Sequence, residues 1–124
     1  MILVKTIVKP SDLHGLGLFA DEFISKDTII FMEESKFTTK FTEEEVELLS
    51  DIPKSYVKHY GYLKNGIYKV SLDNDKYFNH SDNPNTYESD DEENMYTYAK
   101  RDINVGEELT TNYNDFDYGG KMNL

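Results

Sequence analysis

The chain has 124 residues, the length of a single domain, and carries a formal charge of −11 from 24 acidic and 13 basic side chains. That balance opposes direct binding to nucleic acid phosphates, which are held mainly by Lys and Arg, and favours basic partners through long-range attraction. Cysteine is absent and the apolar runs are only a few residues long, which excludes disulfides, thiol nucleophiles, cysteine zinc sites and a membrane-spanning helix.

In chain order, residues 2–8 are rich in β-branched side chains and stop at Pro10, as a strand would. The same stretch is too short and too lysine-interrupted for a signal peptide. His14-Gly15-Leu16-Gly17 reads as a tight glycine turn, followed by a short strand over 18–20 and, past the polar Ser25-Lys26-Asp27, another over 28–32. Thr42 and Glu45 have the spacing of a capping box, with Phe41 and Val46 as its hydrophobic staple, so a helix starts near Thr42. Val46 and Leu49 supply the buried stripe of that helix, and Glu43, Glu44 and Glu47 its wet face. Pro53 either ends it or opens a second short turn through Val57; the helical insert spans about residues 41–59. Asn65-Gly66 predicts a hairpin across 61–70, and residues 94–99 alternate with Tyr96 and Tyr98 on one face. Ala20, Ile24 and Ile30 share the spacing of Ala99, Ile103 and Leu109, each set around a polar turn, which reads as one strand–turn–strand unit used twice. No pattern supports a parallel βαβ sheet, and the fold class expected is mainly β, short antiparallel strands with a small helical insert.

Several residues invite chemical readings. Gly15 and Gly17 let backbone approach a ligand with no Cβ in the way, yet the third glycine of a dinucleotide fingerprint and the Lys-Ser/Thr of a P-loop are missing. Asn79-His80-Ser81 is no hydrolytic triad, because neighbours on an extended chain point to opposite sides. His14, His59 and His80 lack metal-ligand spacing, and Asp73 and Asp75 lack the glycine and terminal Glu of a calcium loop. The acidic run from Glu88 to Glu93 is either a solvated hairpin loop or the border of a groove for a basic segment.

Three pieces in this order, His14-Gly15-Leu16-Gly17-Leu18-Phe19-Ala20, Tyr77-Phe78-Asn79-His80-Ser81-Asp82-Asn83-Pro84-Asn85 and Gly106-Glu107-Glu108-Leu109-Thr110-Thr111-Asn112-Tyr113, resemble the SET domain, the family of S-adenosylmethionine-dependent protein lysine methyltransferases. The resemblance implies one minimal SET domain over residues 1–124, of β-clip-like fold, with a threaded C-terminal segment at 114–124 and no cysteine-rich flanks. It implies that His14, Gly15, Leu16 and Gly17 hold the methionine and ribose parts of S-adenosylmethionine. The Asn79 amide would bond the cofactor's amino-acid end, the His80 backbone would meet the adenine edge, and Tyr118, or else Phe116, would cover the adenine. Tyr113 would be the catalytic tyrosine, in contact with the cofactor, orienting the amine or the sulfonium methyl rather than abstracting a proton, since a phenol titrates near about 10.

Tyr62, Tyr68, Tyr87 and Tyr98, together with Tyr96, are the candidates for the substrate lysine channel, although core packing would use each of them equally well. Tyr87 stands one residue out of register with a channel aromatic of some family members, and strand alternation could turn Glu88 inward instead. Thr111 departs from the Tyr or Phe frequent two residues before the catalytic tyrosine. The implied substrate is a basic protein segment presenting lysine, of histone-like character. No metal, nucleic acid or membrane is expected, and a second subunit is one source for a missing channel wall. The expected setting is soluble and intracellular, cytoplasmic or nuclear. The alternative is a SET-fold module that binds cofactor or basic peptide without transferring methyl.

Overall fold

The computed structural model describes residues 1–90 and 95–113. Strands β1 (Thr6–Pro10) and β2 (Leu16–Ala20) form an antiparallel pair with Thr6 opposite Ala20 and Pro10 opposite Leu16. The first strand begins later than its composition predicts, because Ile2 leaves it to bridge Phe31 in β3 (Ile29–Met32). Next come β4 (Thr38–Thr42), helices α1 (Glu43–Glu47) and α2 (Asp51–Tyr60), and the hairpin of β5 (Tyr62–Lys64) and β6 (Ile67–Ser71). The chain then passes through a 3-10 turn (Asn74–Tyr77) to the short β7 (Asn79–His80). Strands β8 (Thr86–Asp90), β9 (Met95–Ala99) and β10 (Thr110–Thr111) complete the order. Two antiparallel sheets run β3-β9-β8 and β4-β6-β5, while β7 and β10 pair in parallel.

The repeated unit predicted from spacing is present and interlocked. Ile24 and Ile103 exchange both backbone hydrogen bonds, at 2.9 and 2.8 Å. Equivalent positions make equivalent bonds: Asp27 N–H to the Ala99 carbonyl and Gly106 N–H to the Ala20 carbonyl, both 2.8 Å. Ala99 N–H to Thr28 and Ala20 N–H to Glu107 are both 2.9 Å. The turn residue has positive φ in each copy, 68° at Asp27 and 90° at Gly106, a conformation only Gly, Asn and Asp adopt at low cost. All six apolar residues of the two copies are buried in one core with Leu18 and Phe78.

The helical insert has its own small core of Val46, Val57, Tyr68 and Val70, backed by Phe41 and Leu49. Its entry is the expected capping box: Glu45 N–H donates to Thr42 Oγ1 at 3.0 Å and Thr42 N–H to Glu45 Oε1 at 2.9 Å. Pro53 does not end a helix. It lies in the first turn of α2, where its missing N–H would have no intrahelical partner, and α2 continues to Tyr60. In the β5–β6 hairpin Asn65 and Gly66 both have positive φ, 52° and 78°, as a type I′ turn requires. Among the described residues no helix is long and apolar enough to cross a membrane. The expected threading of residues 114–124 lies outside the described residues.

Candidate functional site

The glycine turn is closed by Ser11. Its N–H donates to the Gly15 carbonyl at 2.8 Å, and its Oγ accepts from Leu13 N–H at 2.9 Å. Gly15 has φ 47°, and a Cβ there would meet open space, so conformation alone calls for glycine. Gly17 answers a different constraint: a Cβ would stand 2.4 Å from Oε2 of Glu108. Backbone pairing brings Glu108 to that spot, since Leu109 N–H donates to the Leu18 carbonyl at 2.7 Å and Phe19 bridges Glu108. The Glu108 carboxylate then takes the Ser11 hydroxyl at 2.6 Å and the Asn79 amide at 2.8 Å.

The Asn79 side chain is buried, and its Nδ2 also faces the carbonyls of His14 and Leu16, at 3.0 and 3.1 Å. Three oxygen acceptors around one nitrogen fix which end of the amide is which. Asn79 and Glu108 together therefore hold the glycine turn against the parallel β7–β10 pair. Asn85 secures that pair from behind, donating from Nδ2 to the Glu108 carbonyl at 2.8 Å and accepting the Thr110 N–H at 2.9 Å.

Two residues past β10, Tyr113 turns its ring inward, and its hydroxyl donates to the Phe78 carbonyl at 2.7 Å. Its own N–H donates to Nδ1 of His80 at 3.0 Å, so the neutral imidazole carries its proton on Nε2, 2.8 Å from Asp82. Burial, with the negative charge of Glu108, pushes the Tyr113 phenol up to about 12.

These elements enclose a cavity of about 380 Å³ bordered by Leu13, His14, Gly15, Leu16, His59, Tyr60, Lys76, Tyr77, Asn79, His80 and Tyr113. Of the residues singled out in the sequence, His14, Gly15, Leu16, Asn79, His80 and Tyr113 border it; Gly17 is behind the wall, against Glu108. Phe116 and Tyr118 lie outside the described residues. Tyr60 was not anticipated; His59 was weighed only as a metal ligand, and Tyr77 only as the first residue of the central motif. They form an aromatic cluster, Tyr60 meeting His59 at 4.4 Å, Tyr56 at 4.8 Å and Tyr77 at 6.3 Å between ring centres. The three- and four-residue spacing of Tyr56, His59 and Tyr60 on a helix was the signal available for it. His14, His59 and His80 border the same cavity, yet among the described residues no three potential ligands come together for a metal ion.

The tyrosines expected to line a lysine channel scatter. Tyr68 belongs to the core of the helical insert, where β6 turns it toward Val46 and Val57. Tyr87 stacks on Tyr98, 5.1 Å between ring centres, on the opposite sheet face from buried Met95, Thr97 and Ala99, and its hydroxyl donates to Asp27. Tyr96 shares that outer face. Strand alternation is the physical reason, and the same alternation directs Glu88 inward. Only Tyr62 borders an interior space, a chamber of about 20 Å³ shared with Phe31, Tyr60, Ser71, Asp75, Lys76, Phe78, Glu88, Met95 and Thr97. Its hydroxyl donates to Glu33, which is also paired with the buried Lys69 at 2.9 Å, and burial followed by that bond raises the phenol's pKa.

A mainly β domain in which an early glycine turn, a central Asn-His pair and a late tyrosine meet at one cavity is the architecture of a SET domain. The chain matches the SET domain family profile over residues 15–114 and belongs to that family. It is 32% identical over 119 residues to the histone-lysine N-methyltransferase trr of Drosophila melanogaster, covering 83% of this chain and 4% of that protein. It is 29% identical over 133 residues to the H3 lysine-36 specific histone-lysine N-methyltransferase of Candida albicans, covering 94% of this chain and 15% of that protein. The chain thus spans only a small part of the curated relatives it matches. Among solved structures, part of one chain of a humanized mutant of the Chaetomium thermophilum Polycomb Repressive Complex 2 shares the fold, with a TM-score of 0.70 and 22% identity over 92% of this chain and 15% of that chain. A Plasmodium falciparum protein provisionally assigned as a histone methyltransferase gives 0.67 and 29% over 90% of this chain and 95% of that one.

Proposed function

We propose that this chain is an S-adenosylmethionine-dependent protein lysine N-methyltransferase acting on a basic, histone-like protein segment. The observation that carries the reading is the convergence of the glycine turn, Asn79, His80 and Tyr113 on one cavity of about 380 Å³. The donor set suits the cofactor: exposed backbone at Gly15 and Leu16 for an elongated ligand, aromatic faces from Tyr60 and Tyr77, and Lys76 for a carboxylate. The Asn79 Nδ2 is already directed at three oxygens of the chain itself. Asn79 would therefore meet the cofactor's ammonium through Oδ1 instead of donating to its carboxylate.

When bound, the sulfonium supplies an electrophilic methyl group. What the chain must provide is an amine that is neutral, dry and in line with it. Keeping a lysine neutral at pH 7 costs roughly 4–5 kcal/mol in water, and low dielectric beside a positive charge recovers much of that. A phenol with its pKa raised to about 12 stays protonated under working conditions, so Tyr113 orients and does not deprotonate. The formal charge of −11 supports capture of basic segments, and the named activities of the Drosophila and Candida relatives point to histone tails. Such a substrate would place the protein in the nucleus.

The test is transfer of labelled methyl to a panel of basic proteins that includes core histones. Tyr113→Phe should lower the rate about a hundredfold or more while cofactor binding by calorimetry changes little. The wild-type pH–rate profile should show no limb assignable to the phenol below about pH 11. Cofactor binding with no transfer to any protein would make the chain a binding module instead.

A further inference from the structure

Only two serine or threonine residues in the chain are followed by three or more consecutive carboxylates: Thr42, before Glu43-Glu44-Glu45, and Ser89, before Asp90-Asp91-Glu92-Glu93. A hydroxyl followed by such a run is the charge pattern that a basic kinase cleft selects, because the acids are drawn into the cleft as the hydroxyl reaches the nucleotide. The structure separates the two positions. Thr42 is the N-cap of α1, where its Oγ1 accepts Glu45 N–H at 3.0 Å and its own N–H donates to Glu45 Oε1 at 2.9 Å. Glu43, Glu44 and Glu45 form the first turn of that helix, so the run is coiled and one of its carboxylates is committed to the cap. A cleft that reads an extended chain would have to unwind α1 to use it.

Ser89 meets none of these obstacles. It lies in β8, the outermost strand of sheet β3-β9-β8, with its backbone already extended opposite Tyr96. The residue is exposed, and among the described residues its hydroxyl has no hydrogen-bond partner. Strand alternation turns it to the outer face with Tyr87. Glu88 points the other way, where its carboxylate takes the Thr97 and Thr111 hydroxyls at 2.6 and 3.0 Å.

We propose that Ser89 is a phosphorylation site for an acid-directed protein kinase that uses a nucleoside triphosphate. The terminal phosphoryl group passes to Ser89 Oγ: its bond to the nucleoside diphosphate breaks, the Oγ–P bond forms, and the hydroxyl proton goes to the kinase's catalytic carboxylate. The product carries about −1.5 to −2 of added charge. Because Glu88 faces inward, its bonds to Thr97 and Thr111 survive the modification. The new charge joins the −11 that already attracts basic partners. This site is independent of the methyl-transfer reading.

The experiment treats the full chain with Mg²⁺, ³²P-labelled ATP and the catalytic subunit of an acid-directed kinase, with a base-directed kinase as control. Labelling should approach about one phosphate per chain, and peptide mass spectrometry should find it on Ser89. Ser89→Ala should remove the label and Thr42→Ala should keep it. Asp91→Asn combined with Glu92→Gln should slow labelling about tenfold. Thermal melts verify that each variant is folded. No label on the native chain, label that persists in Ser89→Ala, or labelling of the heat-unfolded chain alone would each overturn the site. Equal labelling by the base-directed kinase, or an unchanged rate after the two neutralising substitutions, would overturn its acid direction.

Discussion

Gly17 and Glu108 show how a single hydrogen atom in place of a side chain can shape a cavity from behind its wall. A Cβ at Gly17 would come within 2.4 Å of the Glu108 carboxylate and 3.0 Å of Ser11 Cβ. The carboxylate can swing away, but doing so releases the Ser11 hydroxyl and the Asn79 amide it now accepts. We therefore expect Gly17→Ala to lower stability by only about 1 kcal/mol yet weaken S-adenosylmethionine binding about tenfold. Glu108→Gln should produce a similar loss, and the double variant should be no worse than either single one, as coupled neighbours behave. Calorimetric titration of the three variants checks this; additive losses would show that the two residues act independently. At this scale the motifs identified which backbone segments meet at the cavity, from His14 to Tyr113. They could not say that Glu108 braces the turn, because that contact depends on a tertiary bridge between Phe19 and Glu108. Nor could they sort the tyrosines: Tyr68, Tyr87 and Tyr98 have the same local pattern as Tyr62, and the face each one occupies is set by sheet pairing.

At the scale of elements, the legible parts are those whose signal is local. The Thr42–Glu45 box, the Asn65-Gly66 turn and the alternation of β9 all lie within a few residues of the bonds they make. Strand β4 was missed because its partner is distant in sequence and its outward residues, Thr39 and Lys40, break any apolar run. The parallel β7–β10 pair was beyond reach for the same reason: two residues against two carry no periodicity, and only the fold brings Asn79 beside Thr110. The helical insert offers an element-level test. Thr42→Ala removes the acceptor for Glu45 N–H and should cost about 1 kcal/mol, seen as a melting point about 4 °C lower. Because α1 does not border the large cavity, affinity for the methyl donor should hold within about twofold. A larger loss of affinity would mean that the insert positions Tyr60 and His59 through its first helix.

For the molecule as a whole, the buried carboxylate of Asp75 sets a pH dependence of stability. Burial raises its pKa from the ordinary 3.8 to about 6, so between these values the folded chain binds more protons than the unfolded one. Stability must then fall as pH climbs through that window, and above about 6 the buried charge costs about 2–3 kcal/mol. Asp75→Asn should remove the cost: urea titrations should find the variant more stable than wild type near neutrality, with the advantage shrinking as pH drops below about 6 and gone near 3.8. An advantage independent of pH would assign the effect to packing instead.

The reciprocal bonds between Ile24 and Ile103 bear on how the polypeptide is made. Each copy supplies the edge that the other lacks, so an emerging amino-terminal half has no finished core to collapse into and must wait for Leu109 to leave the ribosome. Until then Ile24 and Ile30 lack the Ala99, Ile103 and Leu109 side chains that bury them in the finished fold. A premature stop anywhere before the second copy should therefore yield a species that never protects its amides from exchange, however much of the first copy has been synthesised.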